Sequence, residues 1–168
     1  MSKTDEKDPN APVTMLYTPV RLDYTVTAGK HRSHYLRNLE QGKLMGALCP
    51  ACEKVYVPAR AACPTCAVPT ADEVQVKDTG TVTTFCIINI PFGKMPFKPP
   101  YIAAAILLDD ADVPIFHLVR GCEVDEAHMG QRVRAVWDDE LKPTLASIKW
   151  FEPSGEDDAD FDSYAAHL

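Results

Sequence analysis

Four cysteines stand in two pairs, Cys49-Pro50-Ala51-Cys52 and Cys63-Pro64-Thr65-Cys66, ten residues apart. A two-residue spacing lets both thiolates of a tight turn face the same way, and two such turns supply the four soft ligands that tetrahedral zinc prefers. The pairs leave no open coordination position, so the spacing predicts one closed, structural zinc per chain with ligands Cys49, Cys52, Cys63 and Cys66. A rubredoxin-type iron site uses the same ligand set and would make the chain an electron carrier. Visible colour separates the two.

Other side chains are weaker candidates for chemistry. Cys86 and Cys122 lie in apolar strand contexts and read as buried small hydrophobes. His31 and His34 sit one helical turn apart with no third ligand indicated, which favours a polar helix face or a subunit contact. His117 lies within a short apolar strand, where a core or interface histidine is the commoner occupant. No nucleophile, base and orienting group stand together in the pattern, so no catalytic residue is assigned.

One connection has a different character. Pro91 to Tyr101 sets Lys94 and Lys98 among Phe92, Met95, Phe97 and Tyr101. Lysines pair with phosphates and aromatic rings stack on bases or line apolar channels, so these residues are candidates for binding a phosphorylated ligand that carries a base or an acyl chain. A proline-stiffened loop docked on its own barrel or on a partner is the competing reading, and exposed Phe and Met suit such an interface.

The elements that position these residues follow from periodicity. Residues 1–27 form an N-terminal extension whose Val20, Leu22, Tyr24 and Val26 alternate. From about Ala28 to Gln41 the period becomes helical, with Tyr35, Leu36 and Leu39 on one face and Gly42 as terminator. This amphipathic segment, 28–43, is expected to lie on the zinc module or on another subunit, with Tyr35, Leu36, Leu39 and Met95 as candidate interface residues. Residues 44–70 read as a zinc ribbon. Strand signals dominate over 71–152: Thr79 to Ile90, Tyr101 to Leu108, Ile115 to Val119, Arg132 to Trp137 and Thr144 to Phe151, with a single helical turn at Asp125 to Gly130. Five such strands predict an OB-fold barrel. The fold class is therefore mostly β, with an N-terminal helix, a rubredoxin-like zinc ribbon, a five-stranded OB-fold barrel and an acidic tail over 153–168.

With 168 residues and a net charge of −7, the chain has one core's worth of sequence and a bias that proves local. Glu152, Glu156, Asp157, Asp158, Asp160 and Asp162 crowd the C-terminal end without a lysine or arginine, which predicts a solvated, disordered extension. Phe161 and Tyr164 within it are suited to docking on a partner. The balanced body lacks the basic footprint of a nucleic-acid binder, although zinc ribbons and OB-folds both recur in single-strand binding proteins, which keeps that role as the alternative. No long apolar run or secretory leader is seen, and reduced thiols fit the cytoplasm.

Several segments in order, YLRNLEQGKLMGALCPACEKVYVPARAACPTC, DTGTVTTFCIINIPF, KPPYIAAAILLDDADVPIFHLV and MGQRVRAVW, resemble the zinc-ribbon/OB-fold acyl-CoA-associated proteins of domain-of-unknown-function family 35 over roughly residues 28–152. Glu53 and Ala67 stand where such knuckles often carry glycine. The resemblance implies a non-catalytic but required subunit of a thiolase-fold enzyme, a thiolase, a hydroxymethylglutaryl-CoA synthase or a sterol-carrier-protein-type aldolase. It implies two copies of each chain in a heterotetramer and an acyl-CoA shared with the partner, while hydropathy and charge balance predict no membrane or nucleic-acid partner. The lead-in TPVRLDYTVTAGKHRSHYLR points to the steroid side-chain branch.

Overall fold

The computed structural model describes residues 12, 17–20, 22–71, 73–91 and 97–168, so Phe92, Lys94 and Met95 lie outside the described residues. Helix α1 spans Gly29–Leu39 and buries Tyr35 and Leu39. It ends where expected: Gly42 takes φ +68°, and the Lys43 N–H returns to the Asn38 carbonyl at 2.9 Å. A left-handed residue there closes the last turn without a Cβ penalty.

The ribbon sheet comprises β1 (Leu44–Leu48), β2 (Val55–Tyr56) and β3 (Glu73–Val76), in the order β2-β1-β3. Both neighbours run antiparallel to β1, with Ala47 opposite Tyr56 and Gly46 opposite Val74. The third strand thus belongs to the ribbon by hydrogen bonding, although sequence placed its residues at the start of the barrel.

The barrel is built from β4 (Thr79–Ile88), β5 (Tyr101–Leu108), β6 (Ile115–Val119), β7 (Arg132–Trp137) and β8 (Ile148–Pro153). It closes in the order β4-β5-β6-β8-β7, with β7 returning to β4. Every pair is antiparallel except β6 with β8, joined at Val119 and Phe151. This is the five-stranded OB-fold. β4 comes close to β5 at Gly80, where a Cβ would lie 2.5 Å from the Leu107 carbonyl oxygen. No other residue type fits there without moving one of the two strands.

Alternation turns Val82, Ile102, Ile106, Val119, Val133 and Phe151 inward, each 2 % exposed or less. The barrel core is continuous with Tyr35 and Leu39 of the helix and with Leu44, Val57 and Val76 of the ribbon. Helix, ribbon and barrel therefore share one interior rather than touching as separate beads. Burial of this kind contributes ~25 cal/mol per Å² of apolar surface, the main term holding the three together.

Three expectations are corrected. Thr144 to Phe151 is not one strand: Leu145–Ser147 form a 3₁₀ turn and β8 begins at Ile148. Local polar bonds win over alternation here, because the Thr144 hydroxyl accepts the Ala146 N–H and the Ser147 hydroxyl donates to the Lys142 carbonyl at 2.6 Å. Asp125 to Gly130 is a turn rather than a helix, closed by the Glu126 carboxylate accepting the Glu123 N–H at 2.9 Å.

The acidic tail, finally, is ordered on its own barrel. Ala159 donates to the Gly130 carbonyl at 2.9 Å, Glu156 accepts from Arg132, and Tyr164 is 4 % exposed. Composition predicted solvation because it registers charge and not the cationic and aromatic partners waiting on the barrel. A short helix α2 (Phe161–Tyr164) carries the one buried ring.

Candidate metal centre

The two cysteine pairs sit on matching turns. Glu53 donates to the Cys49 carbonyl and Ala67 to the Cys63 carbonyl, both at 2.9 Å, so each turn closes over its first cysteine. Closure requires positive φ at Glu53 (+60°) and Ala67 (+54°), the positions where glycine was the expected residue. The substituted side chains leave knuckle geometry intact at a conformational cost of ~1–2 kcal/mol each.

All four sulfurs lie within 4.8 Å of one another. Cys52 and Cys63 are 3.8 Å apart, close to the edge of a tetrahedron drawn around zinc with Zn–S bonds of about 2.3 Å. Backbone N–H groups of Ala51 and Cys66 point at the Cys49 and Cys63 sulfurs at 3.4 and 3.3 Å, favouring thiolate. The Tyr56 hydroxyl lies 3.2 Å from the Cys63 sulfur, and this bond brings the Cys63 thiol down to about 6. Contact with Cys52 pushes Cys66 up to about 12. Four adjacent thiols resist ionising together, and a divalent cation resolves the conflict. Cys49, Cys52, Cys63 and Cys66 form a closed four-thiolate site for one zinc ion, with Cys49 and Cys63 buried.

Sequence reasoning passed over Tyr56 as a strand residue. Its signal was its position between the knuckles, where a buried phenol needs a polar partner. Val68 and Val113 pack around the same cluster, Val113 coming from the β5–β6 turn of the barrel.

The remaining candidates are dispersed. Cys86 is exposed rather than buried, and Cys122 is half-buried with its thiol raised by desolvation. His34 turns to Glu73 at 3.5 Å, and among the described residues no second metal-ligating group forms. His117 faces Phe151 inside the barrel, ring centroids 5.4 Å apart, and burial lowers its pKa. Of the three helix residues among the four expected at an interface, Tyr35 and Leu39 are occupied by the chain's own core. Leu36 alone stays partly accessible, because the helix face predicted for a partner is the one the ribbon and barrel cover. It rims a groove of about 540 Å³ with Arg32, Pro58, Arg60 and Leu145. Of the loop candidates within the described residues, Phe97 packs edge-on to Tyr101 at 5.0 Å and Lys98 is exposed.

A metal-closed ribbon fused through one core to an OB barrel defines a zinc-ribbon/OB-fold protein. Residues 39–70 match the family model for the rubredoxin-like zinc ribbon domain of ChsH2, and residues 73–138 match its C-terminal OB-fold domain. Together these take in more than half of the chain, which belongs to the ChsH2/DUF35 zinc-ribbon/OB-fold family. The chain is 28 % identical over 95 residues to a DUF35 domain-containing scaffold protein of Methanocaldococcus jannaschii, covering 56 % of this chain and 67 % of that one. Among solved structures it resembles the Ltp2-ChsH2(DUF35) aldolase with a TM-score of 0.58 and 23 % identity, over 75 % of this chain and 96 % of that chain. A DUF35-family protein of unknown function from Sulfolobus solfataricus superposes with a TM-score of 0.56 and 21 % identity, over 74 % and 84 % of the two chains. At these identities the structural likenesses establish the fold.

Proposed function

We propose that this chain is a non-catalytic, required scaffold subunit of a thiolase-fold acyl-CoA enzyme. The observation that carries the reading is the construction of the site: four thiolates that would fill every position of one metal ion, an arrangement that serves architecture, in a chain whose other titratable candidates lie apart among the described residues. A relative described as a scaffold protein and a fold shared with a ChsH2 chain of an aldolase support it. The partner we favour is a sterol-carrier-protein-type aldolase or a thiolase in steroid or other acyl-CoA side-chain degradation, in the cytoplasm, with two copies of each subunit.

In this reading the groove beside Leu36 and an adjoining one lined by exposed Phe116, the two sharing exposed Leu145, form the docking face, since water-exposed apolar side chains grouped around a groove gain by being covered. Phe97, Lys98 and Tyr101, with Phe92, Lys94 and Met95 of the same loop, border the acyl-CoA. No helix among the described residues is long and apolar enough to cross a membrane.

The test is purification of the tagged chain at native expression from its own host, followed by mass spectrometry and sizing. A stoichiometric thiolase-fold enzyme is expected. Recovery of the chain alone, or an enzyme equally active and stable without it, overturns the proposal.

A further inference from the structure

The OB barrel turns a second set of aromatic residues outward. On β8, Phe151 points in and is fully buried, so Trp150 points out; on β6, Val119 points in, so Arg120, which follows it, points out. The Arg120 guanidinium lies 5.0 Å from the centroid of Phe97 and 5.1 Å from that of Trp150. Tyr101 extends the same aromatic wall through its edge contact with Phe97.

Among the described residues the charge on this arginine is unanswered. The barrel strands and their connections contain three arginines. Arg132 is bound to Asp109 and Glu156, and Arg134 to Glu152, which also removes the carboxylate two residues from Trp150. Among the described residues, Arg120 has no carboxylate partner and its guanidinium N–H groups donate to no protein acceptor. Rings on two sides restrict its rotamers, so its planar fork of donors is already positioned and little further freedom is lost when an oxyanion binds. Arg120 follows β6, Trp150 lies on the neighbouring β8 and Phe97 precedes β5, so the cluster borders the strand-2 and strand-3 face that OB-folds use for ligands. Exposed Lys98 adjoins Phe97 in sequence and adds positive charge to that border.

We infer that Arg120, held against Phe97 and Trp150, is a phosphate-binding residue whose aromatic surround stacks the base of an adenine nucleotide. The choice of adenine rests on the acyl-CoA reading above, since the head of a coenzyme A thioester is a phosphorylated adenosine. The site itself rests only on Arg120 and the rings. A single-stranded nucleic acid presents the same base-plus-phosphate chemistry, so the source must be separated by experiment.

Trp150 reports on its own site. In a Trp137→Phe background only Trp150 fluoresces, and adenosine 3′,5′-bisphosphate should quench it saturably, with half-saturation below about 1 mM. Adenosine and inorganic phosphate, each half of the ligand, should bind at least roughly tenfold more weakly. Arg120→Ala should weaken bisphosphate binding by roughly tenfold or more, with Arg120→Lys recovering only part because it keeps the charge and loses the planar fork. Phe97→Leu, which removes one ring and no charge, should also weaken it. Unchanged melting and zinc content will show that each variant is folded.

No saturable quenching, or equal affinity in wild type and Arg120→Ala, overturns the site. An adenine oligonucleotide that competes at Trp150 and binds far more tightly than the bisphosphate keeps the site and overturns coenzyme A as its ligand. Binding by a chain that co-purifies with no enzyme upholds the site while removing the scaffold role. An enzyme partner with no binding does the reverse.

Discussion

Asp112 occupies both outward backbone groups of Val55: its carboxylate accepts the Val55 N–H at 2.8 Å, and its own N–H donates to the Val55 carbonyl at 2.9 Å. Asp112 stands in the turn between β5 and β6, and Val55 opens β2, so the pair ties barrel to ribbon beside the metal centre. His167 adds a third element, its Nδ1 lying 2.9 Å from the Asp112 carbonyl oxygen. Val113, next to Asp112 in the chain, packs on the cysteine cluster.

Asp112→Ala removes the acceptor for a half-buried N–H and should cost about 2 kcal/mol of stability. Asp112→Asn keeps an acceptor oxygen and should cost less. Denaturant titration of both variants in the presence of zinc measures the difference; an unchanged midpoint for the alanine variant would mean that the shared apolar core alone couples the modules.

Replacing Cys63 by serine deletes the ligand that Tyr56 also bonds, and should release the zinc and loosen the ribbon before the barrel. Metal analysis should give less than one equivalent, while tryptophan fluorescence of Trp137 and Trp150 still reports a folded barrel. One tightly held equivalent would contradict the ligand set.

Glu53→Gly and Ala67→Gly should each stabilise the knuckles, because a residue with a Cβ is held at positive φ at both places. Relief of that strain, less the greater freedom of glycine in the unfolded chain, leaves a gain of about 0.5–1 kcal/mol per site. Slower zinc transfer to a chelator and a higher melting temperature are the readouts. Faster transfer would show that the side chains contribute something the backbone strain does not.

Docking of the acidic tail should depend on pH through His128. Its Nε2 meets the Asp158 carboxylate at 2.8 Å and its Nδ1 meets the Glu126 carbonyl at 2.7 Å. The pKa is raised, first by the Glu126 carbonyl and then by Asp158. A group raised on folding contributes fully below its unfolded value of about 6.5, and the contribution fades as pH climbs through the higher folded value. Protection of the Ala159 amide against exchange, corrected for intrinsic rate, should therefore be greater at about pH 6 than at about pH 8.5, and His128→Ala should abolish the difference.

The opposite sign holds at Asp109, whose carboxyl is held below its usual range chiefly by Arg132. Its contribution is present above the unfolded value of about 3.9 and is lost as pH falls through the lower folded value. The stability gap between wild type and Asp109→Asn should narrow in acid, and a gap independent of pH would assign the pair a purely steric role.

Much of this architecture was legible in the residues. Cysteine spacing carries a metal's geometry directly, and period-two alternation survives in β7, where Val133 and Ala135 are buried on either side of exposed Arg134. What escaped was set by tertiary partners. Tyr35 and Leu39 formed a helix face that sequence could orient but not assign, and the chain's own core took it. Ser147 broke the expected strand through a bond to Lys142, a competition that alternation does not register. The tail's charges found Arg132 and His128, distant in sequence and hence invisible to local composition. Arg120, Phe97 and Trp150 come from three separate segments that only barrel closure brings together.

Barrel closure has a further effect on how copies of the chain meet. Closure pairs β7 with only the first residues of β4, Thr79 to Thr81, whereas in the ribbon sheet the outer side of β2 is capped by Asp112. Among the described residues the ribbon's other border is β3, four residues bearing Glu73 and Gln75 and followed by Lys77. Short, charged borders are poor templates for strand-on-strand growth. The ribbon sheet should consequently not seed fibrillar self-templating in a heated or concentrated preparation.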